Sequence, residues 1–174
     1  ASHRTSPRGT RGLVAEPDAE SNARPRSNAA MSQNFPTGIT ATKDPGGRSA
    51  LQLDGAGGRV LVALCGAQVL SWHRGDRDVL WTASKPEYAA GKPVRGGVPL
   101  VFPWFGDHPT DKKLPAHGFA RTLEWRVAAA EPGPRVVLAT QDDEKTRALW
   151  PHAFALRFAI DLRDGLRLEL TIEN

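Results

Sequence analysis

The residue types best suited to binding or catalysis lie in one glycine- and proline-rich segment, residues 92–125. Its sequence, KPVRGGVPLVFPWFGDHPTDKKLPAHGFARTLEW, is more apolar and aromatic than an ordinary surface loop, and it contains Arg95, His117 and Arg121. A mostly apolar hollow with a few convergent polar groups is typical of a small-molecule site. Because a guanidinium fork matches the oxygens of phosphate or carboxylate, the two arginines favour an anionic ligand.

Each of these residues also has a purely structural interpretation. On residue type alone, Arg95 and Arg121 are equally consistent with salt bridges to Asp107 or Glu124. His117 is also consistent with a hydrogen-bonded structural histidine. The histidines of the chain are scattered without a spacing typical of zinc ligands, so we expect no metal site.

The elements that must position this segment are short strands, which begin at about Ser49. We interpret four apolar runs separated by turn residues as strands: 50–53, 59–65, 68–73 and 78–81. Turns are predicted at Asp54-Gly55 and through Arg74-Gly75-Asp76, and this meander spacing is typical of sandwiches and barrels. One short helix is predicted over 142–149, with an aspartate cap at its start and Trp150-Pro151 at its end.

The clearest local pattern is the alternation of apolar and polar residues on both sides of Asp164-Gly165. It predicts a β-hairpin over 154–173 with one buried face. The residues assigned to that face are Phe154, Leu156, Phe158, Ile160, Leu162, Leu166, Leu168, Leu170 and Ile172.

Composition narrows the class of protein. The 174 residues are 40% hydrophobic, with 17 glycines and 14 prolines, which favours a turn-rich β architecture over a helical bundle. The net charge of +4 is scattered and not clustered into a patch, so we expect no nucleic-acid partner. No apolar run approaches the roughly 20 residues of a membrane span, and no signal peptide is evident. The single cysteine, Cys65, is expected to be a core residue, and a reducing, cytoplasmic location fits it.

The amino-terminal region differs from the rest of the chain. Residues 1–30 contain almost no large apolar side chains, and we predict a disordered tail over 1–35. Two origins stay open for it: a genuine flexible tail, or upstream sequence read through before a true start at Met31. Residues 36–174 are predicted to form the amino-terminal part of a β-sandwich.

Several motifs together resemble one known family. The runs PVRGGVPLVFPWFG (93–106) and HGFAR (117–121) are similar to the hexose-6-phosphate mutarotases, also called glucose-6-phosphate 1-epimerases. GAQVLSW (66–72), DVLW (78–81) and TIEN (171–174) fit the same family, so the resemblance spans about residues 50–174. It implies an all-β, antiparallel galactose-mutarotase-like β-sandwich, incomplete at the carboxyl end. It also implies an isomerase that interconverts the α and β anomers of a hexose 6-phosphate without a cofactor.

The resemblance also implies roles for individual residues. Arg95 and Arg121 match substrate-binding arginines of the family, and His117 is interpreted as a binding or orienting residue. Some relatives carry a substrate-contacting Gln immediately before the HG pair, where this chain has Ala116. The family's acid His, a substrate-binding Asp and the base Glu are expected beyond Asn174. No catalytic residue is therefore assigned here, and the chain as given is expected to be a fragment that lacks activity.

Two other functions stay open at this point. The same sandwich would serve as a non-catalytic carbohydrate-binding module that keeps the arginine pair without the acid and base. It would also serve as a partner-binding domain that accepts a strand at its open carboxyl-terminal edge. For the leading interpretation, the expected partner is a hexose 6-phosphate and the expected state is a monomer.

Overall fold

The computed structural model describes residues 34–89 and 91–174, and these form antiparallel sheets with a single short α-helix among them. Most of the predicted tail, including Met31, lies outside the described residues. The last two positions of that tail, Asn34 and Phe35, are described, and the Phe35 side chain packs against the core.

The first sheet is an antiparallel meander of five strands in the order of the sequence. Its strands are β1 (Ile39–Lys43), β2 (Ser49–Gly55), β3 (Gly58–Ala63), β4 (Val69–Arg74) and β5 (Arg77–Asp78). The first three predicted strands are confirmed as β2, β3 and β4. The fourth prediction, 78–81, is mostly wrong because the chain leaves the sheet after Asp78. The Trp81 carbonyl then accepts a hydrogen bond from Gly97 N–H, outside the sheet.

The second sheet has four antiparallel strands, also in the order of the sequence. They are β6 (Arg126–Glu131), β7 (Arg135–Gln141), β8 (Ala155–Asp161) and β9 (Arg167–Glu173). The predicted hairpin is confirmed as β8 and β9, in which Phe158 lies opposite Leu170. The predicted helix is confirmed as α1 (Glu144–Leu149), and the Asp143 side chain caps it by accepting from Thr146 N–H.

The core lies between the two sheets, since one continuous cluster of buried side chains draws on both. The most completely buried large residues of β2, β3, β7 and β8 are Leu51, Leu53, Val60, Val62, Val136, Leu138, Leu156 and Ile160. This arrangement confirms the predicted β-sandwich. Cys65 is free and buried, as expected, and burial raises the pKa of its thiol.

The buried face predicted for the hairpin holds for β8 but fails at the far end of β9. Leu156 and Phe158 are buried, whereas Ile172 and Leu170, which lie opposite them, are 49% and 36% exposed. Alternation fixes which face a side chain points to, but not how far the core extends across the sheet. β9 is the edge strand, and the packing within the described residues reaches β8 without covering this end of β9.

Candidate functional site

The first segment of the candidate site runs beside β4 and carries Arg95. Gly97 N–H donates to Trp81 O and Val98 N–H to Val69 O, each at 2.8 Å. Gly97 has φ +62°, and a Cβ at this position would lie 2.0 Å from Val69 O. Only glycine allows this close approach, so the GG pair fixes the path of the backbone.

Arg95 combines a fixed backbone with a free side chain. Its carbonyl accepts from Ala83 N–H at 3.0 Å, and its side chain is exposed. Among residues 34–89 and 91–174 its guanidinium forms no hydrogen bond or salt bridge, and Asp107 lies instead 3.4 Å from Lys112 Nζ. The salt-bridge interpretation therefore does not describe Arg95 in this structure, and its charge is available to a ligand.

The second part of the site is a joint between residues 102–106, FPWFG, and the HGFAR run. Phe102 pairs with Gly118 in an isolated parallel bridge. The Phe102 carbonyl accepts from Phe119 N–H at 2.9 Å and from Ala120 N–H at 3.2 Å. Gly118 has φ +68°, and a Cβ there would lie 2.0 Å from Phe102 O. The two aromatic runs are thus in direct backbone contact, although residues 107–116 separate them in sequence.

His117 is held in one orientation at this joint. Its backbone N–H donates to Gly106 O at 2.6 Å, and its ring Nδ1 accepts from Gly106 N–H at 3.1 Å. Because Nδ1 accepts, the proton of the neutral imidazole sits on Nε2, which is a donor. The backbone has φ +64°, an uncommon conformation for a residue other than glycine. The Phe105 ring meets the imidazole edge-on with centroids 5.0 Å apart, and Phe105 is 82% exposed.

Arg121 lies in a 3₁₀ turn, Ala120–Thr122, directly after the joint. Its side chain is half-buried, and Nη2 donates to Ala116 O at 2.7 Å. Burial lowers the pKa of this guanidinium from its ordinary value, but an arginine keeps its charge at neutral pH. Ala116 therefore contributes its carbonyl to orient Arg121.

The Arg121 guanidinium bonds to the carbonyl of Ala116, so it lies beside the backbone that leads into His117. Arg95 lies on the segment that leads into Phe102, the residue to which the HGFAR run is bonded. The convergence of the two guanidinium groups on one ligand stays a prediction. Trp104 is partly buried against the core, with its indole N–H donating to Pro115 O at 3.0 Å, whereas Phe105 faces outward.

One residue beside the site was missed by sequence reasoning. Gln68 is 1% exposed, and its carboxamide bonds to the backbone of Val94 and Gly96, on either side of Arg95. The only signal in the sequence is the one carboxamide side chain within the mostly apolar run GAQVLSW.

Among the described residues, no three His, Cys, Asp or Glu side chains group as metal ligands would. No helix in that part of the chain combines the length and apolarity needed to cross a membrane.

Comparison with known proteins places this geometry in context. The family model for aldose 1-epimerase matches residues 49–174. A protein of Salmonella typhimurium, named "Putative glucose-6-phosphate 1-epimerase", is 41% identical over 113 residues, which are 62% of this chain. A protein of the same name from Cenchrus ciliaris is 32% identical over 140 residues, which are 74% of this chain.

Solved structures give the same result for the fold. A crystal structure from Salmonella typhimurium, described as that of "a putative mutarotase", matches 81% of this chain with a TM-score of 0.67 and 29% identity. The match covers 48% of that chain. The sequence matches cover 38% of the Salmonella relative and 41% of the Cenchrus relative. The chain thus spans about two fifths of the length of the curated relatives that it matches.

Proposed function

Because the chain belongs to the aldose 1-epimerase family, we propose that its protein interconverts the α and β anomers of a hexose 6-phosphate. The single observation that carries the choice of a phosphorylated sugar is the exposed Arg95 guanidinium. It forms no ion pair among the described residues, while its backbone is fixed on both sides. An arginine with its charge free and its position fixed is suited to an anion.

Arg121 is the second group that we assign to the ligand. Its guanidinium is half-buried and desolvated, so its field is less screened by water than that of an exposed arginine. One of its donors is used by Ala116 O, and the planar fork keeps further donors for phosphate or hydroxyl oxygens. We assign Arg95 and Arg121 together to the phosphate and the sugar hydroxyls.

His117 and Phe105 complete the proposed binding wall. The Nε2–H of the locked imidazole donates a hydrogen bond to a sugar hydroxyl. The exposed Phe105 ring offers an apolar face of the kind that lines small-molecule sites. In this proposal His117 binds and orients the sugar and is not the general acid.

The chemistry of the proposed reaction requires two further groups. A base takes the proton of the anomeric hydroxyl, and an acid protonates the ring oxygen as its bond to the anomeric carbon breaks. The resulting aldehyde rotates, and the ring closes on its other face with the proton transfers reversed. We assign neither group to a residue in 34–89 or 91–174, so this chain supplies the binding part of the site.

The test is a thermal-shift titration of the chain with glucose 6-phosphate and, in parallel, with glucose. A ligand that binds only the folded chain raises the unfolding temperature, and the shift grows with the logarithm of ligand concentration once this exceeds the dissociation constant. The proposal predicts such a concentration-dependent shift with glucose 6-phosphate, which the Arg95→Ala and Arg121→Ala variants reduce. Equal shifts with both sugars, or no shift with either, would refute the assignment of the arginines.

A second candidate is a carbohydrate-binding module without catalysis. It is favoured by one observation: the candidate residues on the described part of the chain are all of the binding type. Anomer-exchange NMR on glucose 6-phosphate tests this second candidate. Acceleration of exchange by the chain would show that an acid and a base are present in it and would rule out the module, whereas binding without acceleration agrees with both functions.

A further inference from the structure

Gln68 is a buried polar residue whose whole carboxamide is used on one short stretch of backbone. It lies between β3 and β4 and is 1% exposed. Its Nε2 donates to Val94 O and to Gly96 O, each at 2.7 Å. Its Oε1 accepts from Val94 N–H at 3.0 Å. The partners lie 26 and 28 positions away along the chain, so the contact is tertiary.

Only one orientation of the amide satisfies these contacts. The two donors of Nε2 face two carbonyl oxygens, and the acceptor Oε1 faces an N–H. If the amide were rotated by half a turn, its oxygen would face the carbonyl oxygens of Val94 and Gly96. A carboxylate at this position would also place an oxygen against them. Buried polar groups are costly when unpaired, so this site specifically requires an amide of this length.

The residue enclosed by these bonds is Arg95. Val94 before it and Gly96 after it are both bonded to Gln68, and its own carbonyl accepts from Ala83 N–H. Its backbone is therefore held at three consecutive positions while its side chain stays exposed. A ligand that binds this guanidinium does not have to order the backbone beneath it, and such ordering is a main cost of binding on a loop.

We infer that Gln68 is a positioning residue, which acts through Arg95 on the affinity for the sugar phosphate. The inference rests on the proposed function, since it assumes that Arg95 contacts the ligand. Gln68 itself touches no ligand in this account. Removal of the Gln68 amide frees about one residue of backbone. The free energy needed to order that residue again on binding corresponds to roughly a tenfold loss of affinity.

The test is a double-mutant cycle between Gln68→Asn and Arg95→Ala, read by calorimetric titration with glucose 6-phosphate. The shorter amide keeps the residue polar but cannot span both partners. Thr146→Val is the matched control, because Thr146 is also buried and its hydroxyl also bonds to backbone, yet it lies in α1. We expect Gln68→Asn to weaken binding about tenfold in the chain that keeps Arg95, and by less than about twofold in the Arg95→Ala background. Thr146→Val should leave affinity unchanged.

A second measurement does not depend on a ligand. We expect Val94 amide hydrogen exchange to accelerate in Gln68→Asn by about tenfold or more, while the amide of Leu156 in β8 keeps its rate. Equal losses of affinity in both Arg95 backgrounds would overturn the inference, as would unchanged affinity in Gln68→Asn. If Arg95→Ala alone has no effect on affinity, the proposed function of Arg95 fails and the inference fails with it. The Val94 exchange then still reports whether the amide holds the segment.

Discussion

Replacing Gly118 by alanine tests whether the FPWFG run (102–106) and the HGFAR run are held together as described. The added Cβ would lie 2.0 Å from Phe102 O and 2.3 Å from Phe102 C, both backbone atoms. Real Cβ contacts do not fall below 3.0 Å, so the two segments must separate by about 1 Å. That movement breaks the bonds from Phe119 and Ala120 N–H to Phe102 O.

The expected loss of stability follows from these contacts. A left-handed conformation costs a non-glycine residue about 1–2 kcal/mol. Each of the two lost hydrogen bonds contributes about 0.5–1.5 kcal/mol net. The Gly118→Ala variant should therefore lose about 2–5 kcal/mol of unfolding free energy, measured by urea denaturation.

Gly106→Ala is the matched control for this prediction. Gly106 has φ +70°, but a Cβ there would meet nothing within 4 Å. Its N–H, which donates to His117 Nδ1, is retained in alanine. Gly106→Ala should lose only the conformational cost of about 1–2 kcal/mol. Equal losses in the two variants would show that the joint is not packed in this way.

Three further predictions concern charges. Arg95→Ala should change stability by less than about 0.5 kcal/mol, because the side chain is exposed and unpaired among the described residues. The same variant should bind glucose 6-phosphate about tenfold or more weakly, measured by calorimetry, while its affinity for glucose is unaffected. Arg121→Lys should keep the positive charge but lose the planar fork of donors, so glucose 6-phosphate should bind more weakly than to the wild-type chain. Wild-type affinity in this variant would contradict bidentate binding. The hydrogen bond from Phe154 N–H, and to a lesser extent the interaction with Arg147, hold the pKa of Asp142 below its ordinary value. This stabilisation is complete above the unfolded pKa of about 4 and is lost as pH falls through the folded pKa. Asp142→Asn should therefore be less stable at pH 7 and should lose less stability on acidification, measured by urea denaturation at a series of pH values.

The parts of the fold that sequence predicts are those with a strict local pattern. The hairpin of β8 and β9 alternates without interruption, and Asp143 is placed to cap α1. Three strands went unpredicted: β1, β6 and β7. β6 is RVAAAE, in which alanines give no alternation and favour a helix, while the run VVLA in β7 is apolar on both faces. Their strand state is set by pairing across the sheet and not by local preference.

The sequence predicts only part of the candidate site, as it predicts only part of the fold. Residue types alone indicate an anion site with Arg95 and Arg121, because a guanidinium has a characteristic chemistry wherever it lies. Sequence does not reveal the amide of Gln68 or the carbonyl of Ala116, since each acts through a contact formed only by the folded chain. Positioning groups of this kind have no composition signal, and only three-dimensional packing identifies them.

The most direct test of the account is calorimetric titration of glucose 6-phosphate into the wild-type chain and into the Arg95→Ala/Arg121→Ala double variant. If both guanidinium groups bind one sugar phosphate, the wild-type chain should show saturable binding that inorganic phosphate competes for, and the double variant should lose about a hundredfold or more in affinity. Undiminished affinity in the double variant would contradict the account.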